Sequence, residues 1–215
     1  MIYICAGMKR SGSTWVYNAV RSILQRAQAP DLAAGWIADQ DQLLKHQTVI
    51  LKTHVYDAAL ATRADVTLIS HRDLRDVAAS LHRKFNVALS TEGVRETFND
   101  YMNWKKGAAY DLRYEQLLVD RIPELRKIAS VLKLPAVTVT TLDFTAIDRE
   151  IAAEKFNEDR SQGQTYDSVN LLHTGHITDG KHGSWKNTLS PELVAAVERE
   201  FREWMVAEGY LASVN

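Results

Sequence analysis

Gly7 and Gly12 bracket a short loop that carries Lys9, Arg10 and Ser11, and Ser13-Thr14 follow directly. An apolar run, IYIC, precedes the loop, and an amphipathic helical pattern starts at Ser13. Glycines placed between a strand and a helix N-terminus let backbone N–H groups close around a phosphate or sulfate. The spacing is the G-x-x-x-x-G of the loop that cradles nucleoside triphosphates. Here Ser13 stands where that loop carries its lysine, and only Thr14 completes the pattern. Because that lysine reaches the β and γ phosphates, its loss predicts an anion site without a triphosphate tail. The cations sit inside the loop instead, at Lys9 and Arg10. A plain strand-to-helix turn explains the same glycines, and the loop alone does not choose between the two.

A magnesium-nucleotide site also needs an aspartate at the end of a neighbouring apolar strand. TVILK ends in Lys52, and VTLIS runs into His71 and Arg72. Only VTVTTLD, ending at Asp143, offers the carboxylate, and its alternation with threonine fits a loop or the approach to a helix as well as a buried strand.

These residues need elements to hold them. Apolar strand-like runs near 2–6, 48–52, 66–70 and 109–113 alternate with helical periodicity near 13–28, 73–85, 92–107 and 121–133. Such alternation predicts an α/β fold, a parallel sheet flanked by helices on both faces. In the helix from 73, Leu74, Val77, Ala78, Leu81 and Phe85 share one face. The last helix opens with Ser190-Pro191-Glu192 and is expected to bury Leu193, Val197, Phe201 and Trp204. The stretch 157–189 is polar and without clear period, which reads as a functional lid or an irregular loop. Nothing else divides the 215 residues, so one domain is expected, large enough to bury about 70% of its unfolded surface.

In an open parallel sheet, ligands bind beyond the carboxyl ends of the strands. That rim is unusually cationic: Lys9 and Arg10, then Lys52-Thr53-His54, then His71-Arg72, then Arg113-Tyr114-Glu115. The chain as a whole is not basic, with 26 Lys plus Arg against 27 Asp plus Glu. A near-zero balance argues against nucleic acid or an anionic membrane as partner and for a local site holding two or more anionic groups. The single cysteine, Cys5, falls inside the first strand and is expected to be a buried core residue. The N-terminal apolar stretch is too short for a signal peptide and no run is long enough to span a membrane, so a cytoplasmic location is the expectation.

Several ordered motifs together resemble the sulfotransferases that use 3′-phosphoadenosine 5′-phosphosulfate. Arg10-Ser11-Gly12-Ser13-Thr14-Trp15 is similar to the family's loop for the 5′-phosphosulfate. Lys52-Thr53-His54 resembles the family's Lys-Thr-His, and Arg72 with Ser80 its strand-to-helix pair for the 3′-phosphate. Tyr114-Glu115 is similar to the Tyr-Glu-Asp element, and Gly183-Ser184-Trp185-Lys186-Asn187 to the tail of the late Arg-Lys-Gly-x-x-Gly-x-Trp-Lys motif. The resemblance implies a P-loop NTPase-like three-layer sandwich, the phosphosulfate as donor, its bisphosphate as product and no metal.

The same resemblance assigns roles. His54 becomes the general base, since an imidazole with an ordinary pKa of about 6.5 accepts a proton when neutral. Arg10 and Lys52 stabilise charge on the transferred group and leaving phosphate, Arg10 by electrostatics alone because its pKa stays above about 12. Lys9, Ser11, Gly12, Ser13 and Thr14 cradle the 5′ end; Arg72 and Ser80 clamp the 3′-phosphate. Trp15 and Tyr114 are open between facing the adenine and packing in the core. Gly183, Trp185 and Lys186 belong to the lid, where Trp185 is open between lid and anchor.

Departures from the pattern are as informative. Thr178, Asp179 and Gly180 occupy the Arg-Lys-Gly positions, which leaves Lys181 or His182 as substitutes, and Lys9 replaces an opening proline. Two other readings stand beside sulfuryl transfer: a nucleotide or small-molecule kinase that depends on Asp143, and a catalytically silent protein that binds the bisphosphate. The acceptor is a small molecule, glycan or lipid. Its pocket is expected from 30–45, 85–100 and the polar segment, with Trp36, Phe85 and Phe98 as available apolar walls. The sequence carries no signal of oligomeric state.

Overall fold

The computed structural model describes residues 1–86, 90–161 and 163–213. Positions 87–89 of the expected acceptor region and 162 of the polar segment lie outside the described residues. Five parallel strands form one sheet in the order β2-β3-β1-β4-β5. They are β1 (Ile2–Cys5), β2 (Leu32–Trp36), β3 (Thr48–Lys52), β4 (Val66–His71) and β5 (Tyr110–Arg113). The three middle strands are short apolar runs buried on both faces, as a sheet covered by helices on each side requires. Cys5 pairs with Lys52 of β3 on one side and Leu68 of β4 on the other, so the carboxyl ends of β1 and β3 finish level.

In chain order the helices are α1 (Ser13–Arg26), α2 (Gln40–Leu43), α3 (Ala58–Arg63), α4 (Leu74–Phe85), α5 (Thr91–Lys105), α6 (Ile122–Val131), α7 (Ala136–Thr141), α8 (Phe144–Ala153), α9 (Pro191–Glu200) and α10 (Arg202–Ala207). Alternate strand residues divide the core into two layers. Ile4, Val49, Leu51 and Ile69 face α4, α5, α9 and α10, where Val77, Trp104, Phe201 and Trp204 are buried. Tyr3, Cys5, Ile50, Leu68 and Leu112 face α1, α6 and α8, where Val20, Ile128 and Ile147 are buried. This is the expected three-layer sandwich. Among the described residues no helix is long and apolar enough to cross a membrane.

Three details depart from the expectation. The edge strand β2, LAAGW, carries too little apolar period to be predicted; Gly35 brings it against α2, since a Cβ there would stand 3.0 Å from Leu43 Cδ1. VTVTTLD is not a strand. Most of it forms α7, and Asp143 caps α8 by accepting from the backbone N–H of Thr145 and Ala146, so it serves a helix end rather than a magnesium ion. The last helix is also broken, at Phe201, into α9 and α10.

Candidate active site

The glycine loop is pressed against β4. Gly7 adopts φ 118°, and a Cβ there would lie 2.5 Å from both the N and O of Ser70. Ser11 is latched from the same strand, its Oγ 2.6 Å from Ser70 Oγ and donating to Met8 O at 2.7 Å. Ser11 is fully buried, so its hydroxyl supports the loop and lines neither cavity. Gly7→Ala combines a backbone clash with a disfavoured φ and is expected to cost about 3 kcal/mol. A thermal melt checks this as a fall of about 6–12 °C for a chain of this size.

Arg10 and Gly12 adopt φ 67° and 84°, so the chain turns sharply before α1 starts. No side chain caps α1 at Gly12, and its first turn holds no acidic residue. The first N–H groups of a buried helix are thereby kept for an anion.

Two cavities open on either side of this loop. One, of about 340 Å³, is lined by Lys9, Ser13, His54, Trp36, Phe85, Tyr166, Leu171 and His173. The other, of about 360 Å³, is lined by Trp15, Arg72, Ser80, Tyr114, Leu117, Arg121, Ile151 and Ile177, among others. Arg10, Gly12, Thr14 and His176 line both.

His54 lines the first cavity, and Lys52 lies behind it without lining either cavity. Lys52 is 1% exposed. Its Nζ lies 5.4 Å from the centre of the Trp36 ring and 3.3 Å from His54 Nε2. Burial pushes the Lys52 ammonium down to about 7, with a small opposing effect from Cys5. The Nδ1 of His54 is 2.9 Å from Gly7 O. A carbonyl only accepts, so Nδ1 carries the proton and Nε2 is left with its lone pair. Burial first, then the charge of Lys52, hold this imidazole well below its ordinary value. His54 is therefore neutral, oriented and half-buried, the state a base requires.

At the second cavity the Arg72 guanidinium lies over the Tyr114 ring, 4.1 Å from its centre. Arg72 Nη1 donates to Arg10 O at 3.3 Å, Nη2 to Lys181 O, and Nε is buried with no partner among the described residues. Ser80 Oγ accepts from Arg10 Nε at 2.9 Å. Tyr114 OH donates to Gly180 O at 3.0 Å, so the ring sits between the guanidinium and the polar segment. Trp15 lines the cavity, its Nε1 buried and without a partner among the described residues. The cavity is lined by the cations Arg10, Arg72 and Arg121 together with apolar Leu117, Leu118, Ile151 and Ile177.

The structure brings Lys9, Arg10, Gly12, Ser13, Thr14, Trp15, His54, Arg72, Ser80 and Tyr114 to the two cavities, with Lys52 reaching the first only through His54. It does not bring in Gly183, Trp185 or Lys186, which line neither cavity. The buried carboxylate of Asp76, on α4, accepts from the N–H groups of Gly183 at 2.7 Å and Trp185 at 3.1 Å. The Arg75 guanidinium stacks on the Trp185 ring at 4.3 Å, and Lys186 Nζ lies 5.7 Å from the centre of a Trp185 ring. These residues anchor the segment to α4. Nor do the whole rims converge. His71 is buried with Asp111 at 2.8 Å and Glu208 at 3.5 Å, and Arg113 pairs with Glu115 at 3.4 Å.

The polar segment has little regular structure among its described residues: short turns at Glu158–Arg160 and Ser184–Asn187 and one bridge between Tyr166 and His173. Asp179, in the position of an expected cation, pairs with Arg83 at 3.1 Å. His182 turns to Asp76 at 3.4 Å and Lys181 is exposed, so neither replaces the missing charges at the cavity. Trp36 and Phe85 do wall the first cavity, whereas Phe98 packs in the core against Phe201 at 4.9 Å. Sequence reasoning missed His173 and His176, which line the cavities from a stretch with no period to single them out.

The family described as "Sulfotransferase domain" matches residues 3–209. No curated protein matches the sequence. Among solved structures, mouse sulfotransferase SULT7A1 complexed with PAP is similar at a TM-score of 0.66 and 14% identity, covering 97% of this chain and 85% of that one. Retinol dehydratase with androsterone and inactive cofactor PAP is similar at 0.57 and 16% identity, covering 95% and 80%. At these identities the structures speak for a shared fold, while the family match reaches almost from end to end. The chain belongs to the sulfotransferase domain family, and sulfuryl transfer in general is the activity that membership carries.

Proposed function

We propose that this chain transfers the sulfuryl group of 3′-phosphoadenosine 5′-phosphosulfate to the hydroxyl of a small molecule with an apolar body. The observation that supports this best is the pair of cavities meeting at one anion loop, with a neutral, oriented base at one and Arg72 with Ser80 at the other. The adenosine and 3′-phosphate occupy the second cavity, the 5′-phosphosulfate lies over the loop, and the acceptor enters the first. The acceptor oxygen attacks sulfur while its proton passes to His54 Nε2. The bond from sulfur to the 5′-phosphate oxygen breaks, its electron pair stays on that oxygen, and Arg10 and Lys52 meet the charge. Trp36, Phe85, Tyr166 and Leu171 wall the acceptor side, which suits an apolar alcohol or phenol better than a glycan. The retinol dehydratase structures hold androsterone and retinol, ligands of that kind.

Thermal melts test the nucleotide assignment. PAP, the bisphosphate product, is expected to raise the melting temperature, by about 2.7 kcal/mol of stabilisation at a hundredfold excess over Kd. Magnesium-ATP is expected to give far less, because the loop has no lysine at Ser13 for its β and γ phosphates. Stabilisation by magnesium-ATP alone would reverse the reading in favour of a kinase.

A further inference from the structure

Lys9 and Arg10 are neighbours in the loop, yet they serve different spaces. Arg10 lines both cavities, and its guanidinium is engaged: Nε donates to Ser80 Oγ and Nη2 to His176 O, each at 2.9 Å. Lys9 lines the first cavity and not the second, although its place in the loop counted it with the 5′ cradle. Its backbone N–H is committed as well, donating to Thr97 Oγ1 of α5 at 2.7 Å, so it is not among the N–H groups left for an anion. The side chain is half-buried, and its ammonium reaches solvent and makes no hydrogen bond or ion pair among the described residues. Charge around this cavity has one sign. No carboxylate lines it among the described residues; Asp39 acts on Tyr166 from outside the lining. Lys52 lies behind His54, and Lys84 Nζ is held by Thr174 O at 2.7 Å and Gly175 O at 3.2 Å, next to His173 and His176 in the chain. The three lining histidines, His54, His173 and His176, are all held below their ordinary value, by burial first, with surrounding cations adding to it. Lys9 is one of the cations that act on His54, which sets its charge on the side of the base.

We propose that the acceptor is an acidic molecule, a phenol or alcohol that carries a carboxylate or similar anionic group besides its reacting hydroxyl, and that Lys9 is the residue that selects it. The inference rests on the assignment of the first cavity to the acceptor. Apolar walls around charges of one sign focus their field on whatever enters. A cationic tail meets repulsion there from every side. An anionic tail finds an ammonium with three donors to spend, while Trp36, Phe85, Tyr166 and Leu171 cover the apolar body. Lys9 takes no part in the transfer itself: it neither gains nor loses a proton, and its effect is on which acceptor is held beside His54.

The test uses phenols that differ only in the last group of one side chain: phloretate, which ends in a carboxylate, para-propylphenol, which ends in a methyl, and tyramine, which ends in an ammonium. Their binding to the PAP-loaded chain is measured by calorimetry, and sulfate transfer from the phosphosulfate is followed in parallel. The unaltered chain is expected to bind phloretate about tenfold more tightly than para-propylphenol, as a hydrogen bond between charged groups does, and tyramine least. Lys9→Met is expected to bring phloretate and para-propylphenol level, and Lys9→Glu to reverse the order of phloretate and tyramine. A ranking that survives both substitutions overturns the assignment, as does an unaltered chain that prefers tyramine or does not bind phloretate. An equal loss for all three phenols, together with weaker binding of PAP, also overturns it and returns Lys9 to the nucleotide cradle. Ranked binding without sulfate transfer to any of the phenols upholds the role of Lys9 and overturns the sulfuryl-transfer reading instead.

Discussion

His54→Ala is expected to lower kcat by about 10³-fold while leaving the affinity for PAP nearly unchanged. The loss is large because the environment has prepared this ring for one task. Gly7 O takes its Nδ1–H and burial beside Lys52 keeps it uncharged, so Nε2 keeps its lone pair, which faces Lys52 Nζ at 3.3 Å until an acceptor hydroxyl takes that place. His54→Asn separates that task from support of the loop: its amide can still donate to Gly7 O but supplies no base. An asparagine variant with full activity would show that His54 only props the loop. The pH profile adds an independent check. With the imidazole held well below 6.5, kcat/KM is expected to show no fall on the acid side near that value. Lys52, at about 7 in the free protein, loses its proton as pH rises, so the alkaline side is expected to fall from about there. Lys52→Met is expected to abolish that alkaline limb along with much of the activity.

Arg72→Ala is expected to weaken PAP binding by about 3 kcal/mol, or about 10²-fold in Kd by calorimetry. Arg72 is nearly buried, stacks on Tyr114 and spans from the loop to the polar segment, with Nε still unpartnered. Its fork meets a phosphate with several donors at once. Lysine offers a point charge without the planar stacking surface, so Arg72→Lys is expected to recover little. Adenosine 5′-phosphate, which lacks the 3′-phosphate, is expected to bind the alanine variant and the unaltered chain alike. An equal loss for both nucleotides would mean that Arg72 holds the loop rather than the 3′-phosphate.

The elements legible in the sequence were those with one dominant cause. β1, β3 and β4 are uninterrupted apolar runs, and α1, α4, α5 and α6 carry a clear period, so their type and approximate limits followed. β2 is held by register against β3 and by the close approach allowed at Gly35, neither of which leaves an apolar run. α7 inherits alternating Val and Thr, a strand-like pattern that the Pro135 start and the tertiary setting override. In the site, residues at strand ends and in the loop were found because topology delivers them to one rim. Direction was the part that position could not give. His71 and Arg113 stand at strand ends as Lys52 does, yet they turn to Asp111, Glu115 and Glu208. Asp76 escaped notice because an acidic residue in the first turn of a helix is ordinary, and only the fold brings Gly183 and Trp185 to it.

Each cavity has a tryptophan of its own in its wall, Trp36 in the first and Trp15 in the second. Trp104 and Trp204 are buried in the core, and Trp185 lines neither cavity. The indole emission of this chain therefore contains two separable reporters. Trp36 is in contact with the Lys52 ammonium and close to the His54 ring, so its brightness follows the protonation and filling of the acceptor side. On the proposed assignment, Trp15 reports the nucleotide. Silencing either one by phenylalanine leaves an optical signal for the other ligand, and the order in which donor and acceptor arrive can be timed without labelling either.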